Sequence, residues 1–233
     1  MSVILVSNIA TASITHREFF VESAYDGLKI SVLEVIPAEK PKAVVLLAHG
    51  LCGCKERFLP FMEFLAMNGI ACVANDHRGH GGSILCEEDR GYTYQGGAKA
   101  LVMDMETVAD YITEHYQETP ITLLGHSMGS LAARAFLKHN ENRLNRVIIC
   151  GSPSPNPMAP IGRAILNIKQ TSHTLRLRHR DTHLHLAAMT PIIQCRVRHI
   201  GHYHIIGNRS RGSHRKGCHA RLLIENYIIR AII

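Results

Sequence analysis

Ser127 stands at the centre of Gly125-His126-Ser127-Met128-Gly129, between the apolar run Ile121-Thr122-Leu123-Leu124 and the stretch Ser130 to Leu137. A serine hydroxyl is a weak nucleophile until it is lifted out of the backbone and given a base. Strand, sharp turn and helix in that order do the lifting, and Gly125 and Gly129 leave room for the crowded strand and helix to pass. The N–H of Met128 would then face the position where an attacked carbonyl develops its negative oxygen. A second donor is expected from the loop after Ala43 to Ala48, a continuous apolar run that ends in His49-Gly50-Leu51-Cys52-Gly53. The backbone N–H of Leu51 is the candidate, with Gly50 allowing the chain to turn in close to the nucleophile.

A third loop follows a third buried run. Ile70-Ala71-Cys72-Val73-Ala74 leads into Asn75-Asp76-His77-Arg78-Gly79-His80-Gly81-Gly82-Ser83. Asp76 and His77 look like catalytic partners by type. They read better as loop-shaping residues, with Asp76 accepting backbone N–H bonds and Arg78 pairing nearby.

The motifs HGLCG, DHRGHGGS and GHSMGS, in this order, resemble the α/β-hydrolase superfamily, most closely its monoacylglycerol lipase, lysophospholipase and serine aminopeptidase-like branch. The likeness extends to Val147-Ile148-Ile149-Cys150-Gly151-Ser152-Pro153 and covers about residues 14–168. It implies an eight-stranded, mostly parallel, doubly wound sheet with helices on both faces. It also implies a serine hydrolase that cleaves carboxylic esters of the monoacylglycerol or lysophospholipid kind, less often amides, through an acyl-serine intermediate. No metal or organic cofactor is needed for such chemistry.

The elements that must position these loops are readable without the family. Arg17 to Ser23 and Leu28 to Ile36 flank Asp26-Gly27, a strong hairpin signal. Apolar residues at helical spacing predict a helix over Arg57–Asn68 and another over Gly96–Tyr116. Strands and helices alternate from Ala43 to Pro153, which predicts a parallel sheet. The chain of 233 residues fits one domain with a sizeable core. The start Met-Ser-Val-Ile-Leu-Val lacks a basic n-region, no run approaches a membrane span, and seven cysteines show no disulfide spacing. A reducing, cytoplasmic location is the expectation. Cys52-Gly53-Cys54 beside His49 has no second cluster at zinc spacing, so no metal site is assigned.

The last third differs. Residues 1–170 hold 15 Lys/Arg against 17 Asp/Glu, which leaves 11 against 2 for residues 171–233, together with 9 of the 16 histidines. Thr174–Arg180 and His199–Gly207 each read as a strand, Asn208–Lys216 as a basic loop and Leu222–Ile233 as an apolar tail, with no convincing helix between them. The chain therefore divides into a hydrolase-like core, 1–168, and a basic His/Arg-rich segment, 169–233. That segment reads foremost as a non-homologous ending, of the kind a reading-frame shift near residue 170 produces. Two other readings are metal binding through His183, His185, His199, His202 and His204, and weak binding to an anionic surface. No specific nucleic-acid motif is present.

This departure bears on the mechanism. The resembled fold places an acid and then a histidine downstream of the serine. After Ser127 the only acids are Glu141, Asp181 and Glu225, and Glu141 is too local. Asp181 is the default acid, with His202, His204 or His214 as base and His199 and His219 as further candidates. Only 54 positions separate Ser127 from Asp181, too few for two strands and a substrate-covering cap. Pro153–Ile168 reads as no more than the beginning of such a cap. The rival reading is a hydrolase-fold relic or binding protein whose serine has lost its acid and histidine.

Overall fold

The computed structural model describes residues 13–153, the strands at 194–199 and 202–207, and residue 232. β1 (Thr15–Glu22) and β2 (Lys29–Ile36) form the expected antiparallel hairpin. Its turn places Gly27 at φ +74°, and Asp26 Oδ1 accepts the Leu28 N–H. That left-handed position is one that glycine occupies at no steric cost.

Four strands and three helices build the parallel block. β3 (Ala43–Ala48) and β4 (Ile70–Asn75) are buried at every residue, as continuous apolar runs predict for strands covered on both faces. β5 (Ile121–His126) and β6 (Arg146–Cys150) complete the block. α1 (Leu59–Met67) links β3 to β4, α2 (Gly97–His115) links β4 to β5, and α3 (Met128–Asn140) links β5 to β6. The helix expected over Arg57–Asn68 is divided: a 3₁₀ turn spans Lys55–Phe58 and the α-helix starts at Leu59. Pro60 explains the start, because a residue without an N–H fits only the first turn.

The strand order is β1-β2-β4-β3-β5-β6-β7-β8, with β7 at Gln194–His199 and β8 at His202–Gly207. Pairs β4–β3, β3–β5 and β5–β6 are parallel; β1–β2, β2–β4, β6–β7 and β7–β8 are antiparallel. Six of the eight strands, all but β2 and β7, therefore run in one direction. The single strand expected over His199–Gly207 is corrected: β7 ends at His199 and β8 begins at His202. The run His199 to Gly207 reads as one β-rich segment, but the two-residue Ile200-Gly201 inside it carries the glycine that marks a hairpin turn. The strand expected at Thr174–Arg180, the loop at Asn208–Lys216 and the boundary near residue 168 lie outside the described residues.

Helices cover both faces of the sheet, which makes it doubly wound. On one face Val44, Leu46 and Leu123 pack with Met105 and Val108 of α2 and Phe136 of α3. On the other, Val45, Leu47 and Ile148 pack with Met62 and Leu65 of α1 and with Ile232, which is fully buried.

Candidate active site

Ser127 sits at the apex between β5 and α3 with φ 54° and ψ −116°, a conformation L-residues rarely hold. Crowding around the apex shows why glycines flank it. A Cβ on Gly125 would lie 2.4 Å from the Gly129 carbonyl oxygen, and one on Gly129 would lie 2.1 Å from that of Ala48. The turn is tied down by main-chain bonds: Ser127 N–H donates to Cys150 O (2.9 Å) and Ser130 N–H to Ser127 O (3.0 Å). The Ser130 hydroxyl also donates to Ser127 O. Met128 opens α3, so its N–H belongs to the unpaired first turn and the positive end of the helix.

The loop after β3 meets the apex directly. A Cβ on Gly50 would lie 3.0 Å from Ser127 Cβ, so any larger residue here would press on the nucleophile. Residues Gly50 to Gly53 form a β-turn closed by Gly53 N–H to Gly50 O (3.0 Å). Cys52, its third residue, has φ 56°, where a non-glycine side chain is strained by about 1 kcal/mol. His49 holds the turn from behind. The His77 N–H can only donate, so the His49 Nε2 that meets it at 2.9 Å is an acceptor. The His49 proton is therefore on Nδ1 and donates to Gly50 O at 2.8 Å. With that carbonyl held twice inside the loop, the trans peptide turns the Leu51 N–H the opposite way. Burial pushes the His49 imidazole down to about 4, so it stays neutral and keeps this tautomer.

The loop after β4 is occupied with its own architecture. Asp76, fully buried, accepts the N–H of Lys55 (2.7 Å) and of Gly82 (2.8 Å) and the Lys55 ammonium (3.2 Å). Arg78 grips Asp104 of α2 bidentately (2.7 and 2.8 Å) and Asp26 of the hairpin turn (3.0 and 3.2 Å). His77 is fully buried against the His49 ring, 4.3 Å between centroids, and neither ring nitrogen finds a partner among the described residues. Burial, and then the neighbouring His49 and His80, hold it well below the usual histidine range. Asp76 and Arg78 thus take the structural roles expected of them.

The Gly50 backbone meets Ser127, so its neighbour Leu51 and the helix-opening Met128 flank the apex; the acid and base candidates fall partly on β8 and partly outside the described residues. Asp181 and His214 lie outside the described residues. His202 and His204 are on β8, three strands from β5. By register His204 is level with Leu124 and His202 with Thr122, short of the strand end that carries Ser127. Sequence reading missed the role of His49 as the pin between two loops, and the burial of Lys55 among Glu18, Glu56 and Asp76. Neither a lone histidine nor a lone lysine carries a sequence signal for such contacts. Among the described residues no group of three or more His, Cys, Asp or Glu side chains is placed to hold a metal ion.

The sheet order, the two-faced helix cover and the serine-bearing turn after β5 define the α/β-hydrolase class of protein. The profile of the family described as "Serine aminopeptidase, S33" matches residues 39–189, and the chain belongs to that family. The match passes residue 168, where the motif likeness had run out. Monoglyceride lipase of Mus musculus is 34% identical over 96 residues, covering 40% of this chain and 29% of that protein. A monoglyceride lipase homolog of Monkeypox virus is 28% identical over 120 residues, covering 48% of this chain and 39% of the viral protein. The chain thus spans well under half the length of these relatives. A highly thermostable carboxyl esterase from Bacillus coagulans, solved with glycerol, shares the fold: TM-score 0.60 at 24% identity, over 69% of this chain and 53% of the esterase.

Proposed function

We propose that the protein is a serine hydrolase of small carboxylic esters, with monoacylglycerol- or lysophospholipid-like lipids as its substrate class. The observation that carries this reading is the strained Ser127 apex, wedged between Gly50 and the start of α3. Strain of this kind persists only where the surroundings enforce it, and on this reading it presents the Ser127 hydroxyl to a carbonyl whose oxygen the Met128 and Leu51 N–H groups would hold. Similarity to the mouse and viral monoglyceride lipases supports the choice of ester.

In the proposed mechanism Ser127 Oγ attacks the ester carbonyl while a downstream histidine takes its proton. The Leu51 and Met128 N–H groups hold the oxyanion, the alcohol leaves with the proton, and water then releases the acid from the acyl-serine. The register supports His214 as the base over His202 and His204. β8 runs parallel to β5, so the chain leaves it after Gly207 at the end of the sheet that carries Ser127. The chain also leaves β6 and re-enters β7 at that end, which is the side from which Asp181 would reach the histidine. Five described cysteines are all free thiols, which supports a reducing, cytoplasmic setting. Among the described residues no helix is long and apolar enough to cross a membrane.

Labelling with a fluorophosphonate tests the reading without knowledge of the substrate. The wild-type chain should label and Ser127→Ala should not, and His214→Ala should label at least 100-fold more slowly. A folded wild-type chain that fails to label would make the protein a non-catalytic member of its fold.

A further inference from the structure

Beside the oxyanion turn lies a cavity of ≈ 260 Å³ whose lining includes Cys52, Cys54, Glu56, His80 and Arg90. Ser127 is not part of it, and the serine chemistry uses neither thiol. Both thiols are free and partly exposed, whereas the Cys72 thiol is fully buried and pushed far up by that burial. We propose that Cys52 and Cys54 form a peroxide-responsive dithiol that closes to a disulfide and disables the oxyanion turn; the functional half of this inference rests on the serine-hydrolase reading.

The geometry supports both halves. Cα atoms two residues apart are separated by at most about 7 Å, close to the upper limit of about 6.8 Å for a disulfide. The two cysteines line the same cavity, and closing a bond between them calls on the backbone of the intervening Gly53. That movement is not neutral for its surroundings. The Gly53 N–H bonds Gly50 O at 3.0 Å, so turning Gly53 breaks the bond that closes the β-turn and orients the Gly50–Leu51 peptide. The chain beyond Cys54 cannot yield instead, because the Lys55 N–H is pinned to buried Asp76. Cys52 already holds a left-handed φ, so the turn has little conformational reserve.

The steps balance. The Cys52 thiolate attacks one oxygen of hydrogen peroxide, giving Cys52–SOH and hydroxide, which takes up the thiol's proton as water. The Cys54 thiol then displaces the hydroxyl as a second water and forms the Cys52–Cys54 bond. Two thiols lose two electrons and one peroxide becomes two waters. Cys54 attacks in its thiolate form, and because burial and the Glu56 carboxylate push its thiol up, this second step is the slower one and quickens as the pH rises.

The test treats the reduced, full chain with hydrogen peroxide and follows two readouts. Mass spectrometry of the peptide containing both cysteines should show a loss of about 2 Da that dithiothreitol reverses. Fluorophosphonate labelling of Ser127 should fall by roughly 100-fold, as loss of one oxyanion donor predicts, and return on reduction. Cys54→Ser should label normally and keep its labelling after peroxide. The proposal is overturned if no such mass loss appears, if the disulfide forms between two chains, or if Cys54→Ser is silenced as fast as the wild type. A reduced chain that never labels would sink the serine-hydrolase reading instead, while the mass readout still decides whether the disulfide forms.

Discussion

Two loops at the carboxyl ends of the parallel strands look equally chemical by composition and behave oppositely. The loop after β4 carries an aspartate, two histidines, an arginine and a serine, and its carboxylate, guanidinium and serine hydroxyl are bonded inside the protein, while the His77 ring nitrogens lack a partner among the described residues. The turn after β5 carries one serine and one histidine, and it is held through main-chain groups instead, leaving the Ser127 hydroxyl without a hydrogen-bond partner among the described residues. Reactive residue types make a scaffold when their valences are filled by neighbours. They make a site when the backbone does the holding and a side chain is left over.

The sharpest way to break this contrast is to crowd the main chain of the second turn. Gly129→Ala puts a methyl 2.1 Å from Ala48 O, a backbone clash that no rotamer relieves. We expect destabilisation on the order of 4 kcal/mol or more, seen as loss of the folded fraction in urea titration. Next comes the scaffold loop. Arg78→Met strands the fully buried Asp104 carboxylate and should cost about 3–5 kcal/mol. The fraction that stays folded should still label with fluorophosphonate at the wild-type rate. A labelling rate that fell with Arg78 would erase the distinction between the two loops.

Acid provides a third, smaller perturbation. His49 is held neutral down to about pH 4, whereas in the unfolded chain it takes up a proton near its ordinary 6.5. Its contribution is fully present above pH 6.5 and declines as the pH falls from 6.5 towards 4. The slope is about 1.4 kcal/mol per pH unit, and His77, lowered in the same direction, adds to it. Urea midpoints measured from pH 7 to pH 4 should show this slope, and His49→Gln should flatten part of it. Smallest is Ser130→Ala, which removes only one side-chain bond to Ser127 O; about 1 kcal/mol is expected, read as a shift in melting temperature of a few degrees.

Sequence alone made the local features visible. Gly125, Ser127 and Gly129 carry their meaning within five residues, and buried runs such as Ala43–Ala48 announce strands covered on both faces. The stripe of Ala100, Leu101 and Val108 placed α2 to within one residue at each end. Contacts across long separations stayed hidden. Arg78 finds Asp104 across 26 positions and Asp26 across 52, and His49 finds His77 across 28. Lys55, charged and therefore expected at the surface, is buried because three carboxylates converge on it from β1, its own turn and the loop after β4. The hairpin of β7 and β8 escaped because a β-rich run looks the same on one strand as on two joined by a tight turn. The pairing of acid and base was equally illegible: a spare histidine among nine in the last third has no periodicity to distinguish it.

The crowding at Gly125 and Gly129 has a consequence for inheritance. What locates the nucleophile is a set of carbonyl oxygens and α-carbons, belonging to Ala48, His49, Gly129 and Ser130, that every substitution leaves in place. A lineage built on this frame is free to exchange its cap, its acid or its substrate-facing side chains, one at a time, while the serine keeps its address. The position of the nucleophile is written in backbone atoms that a change of side chain does not reach.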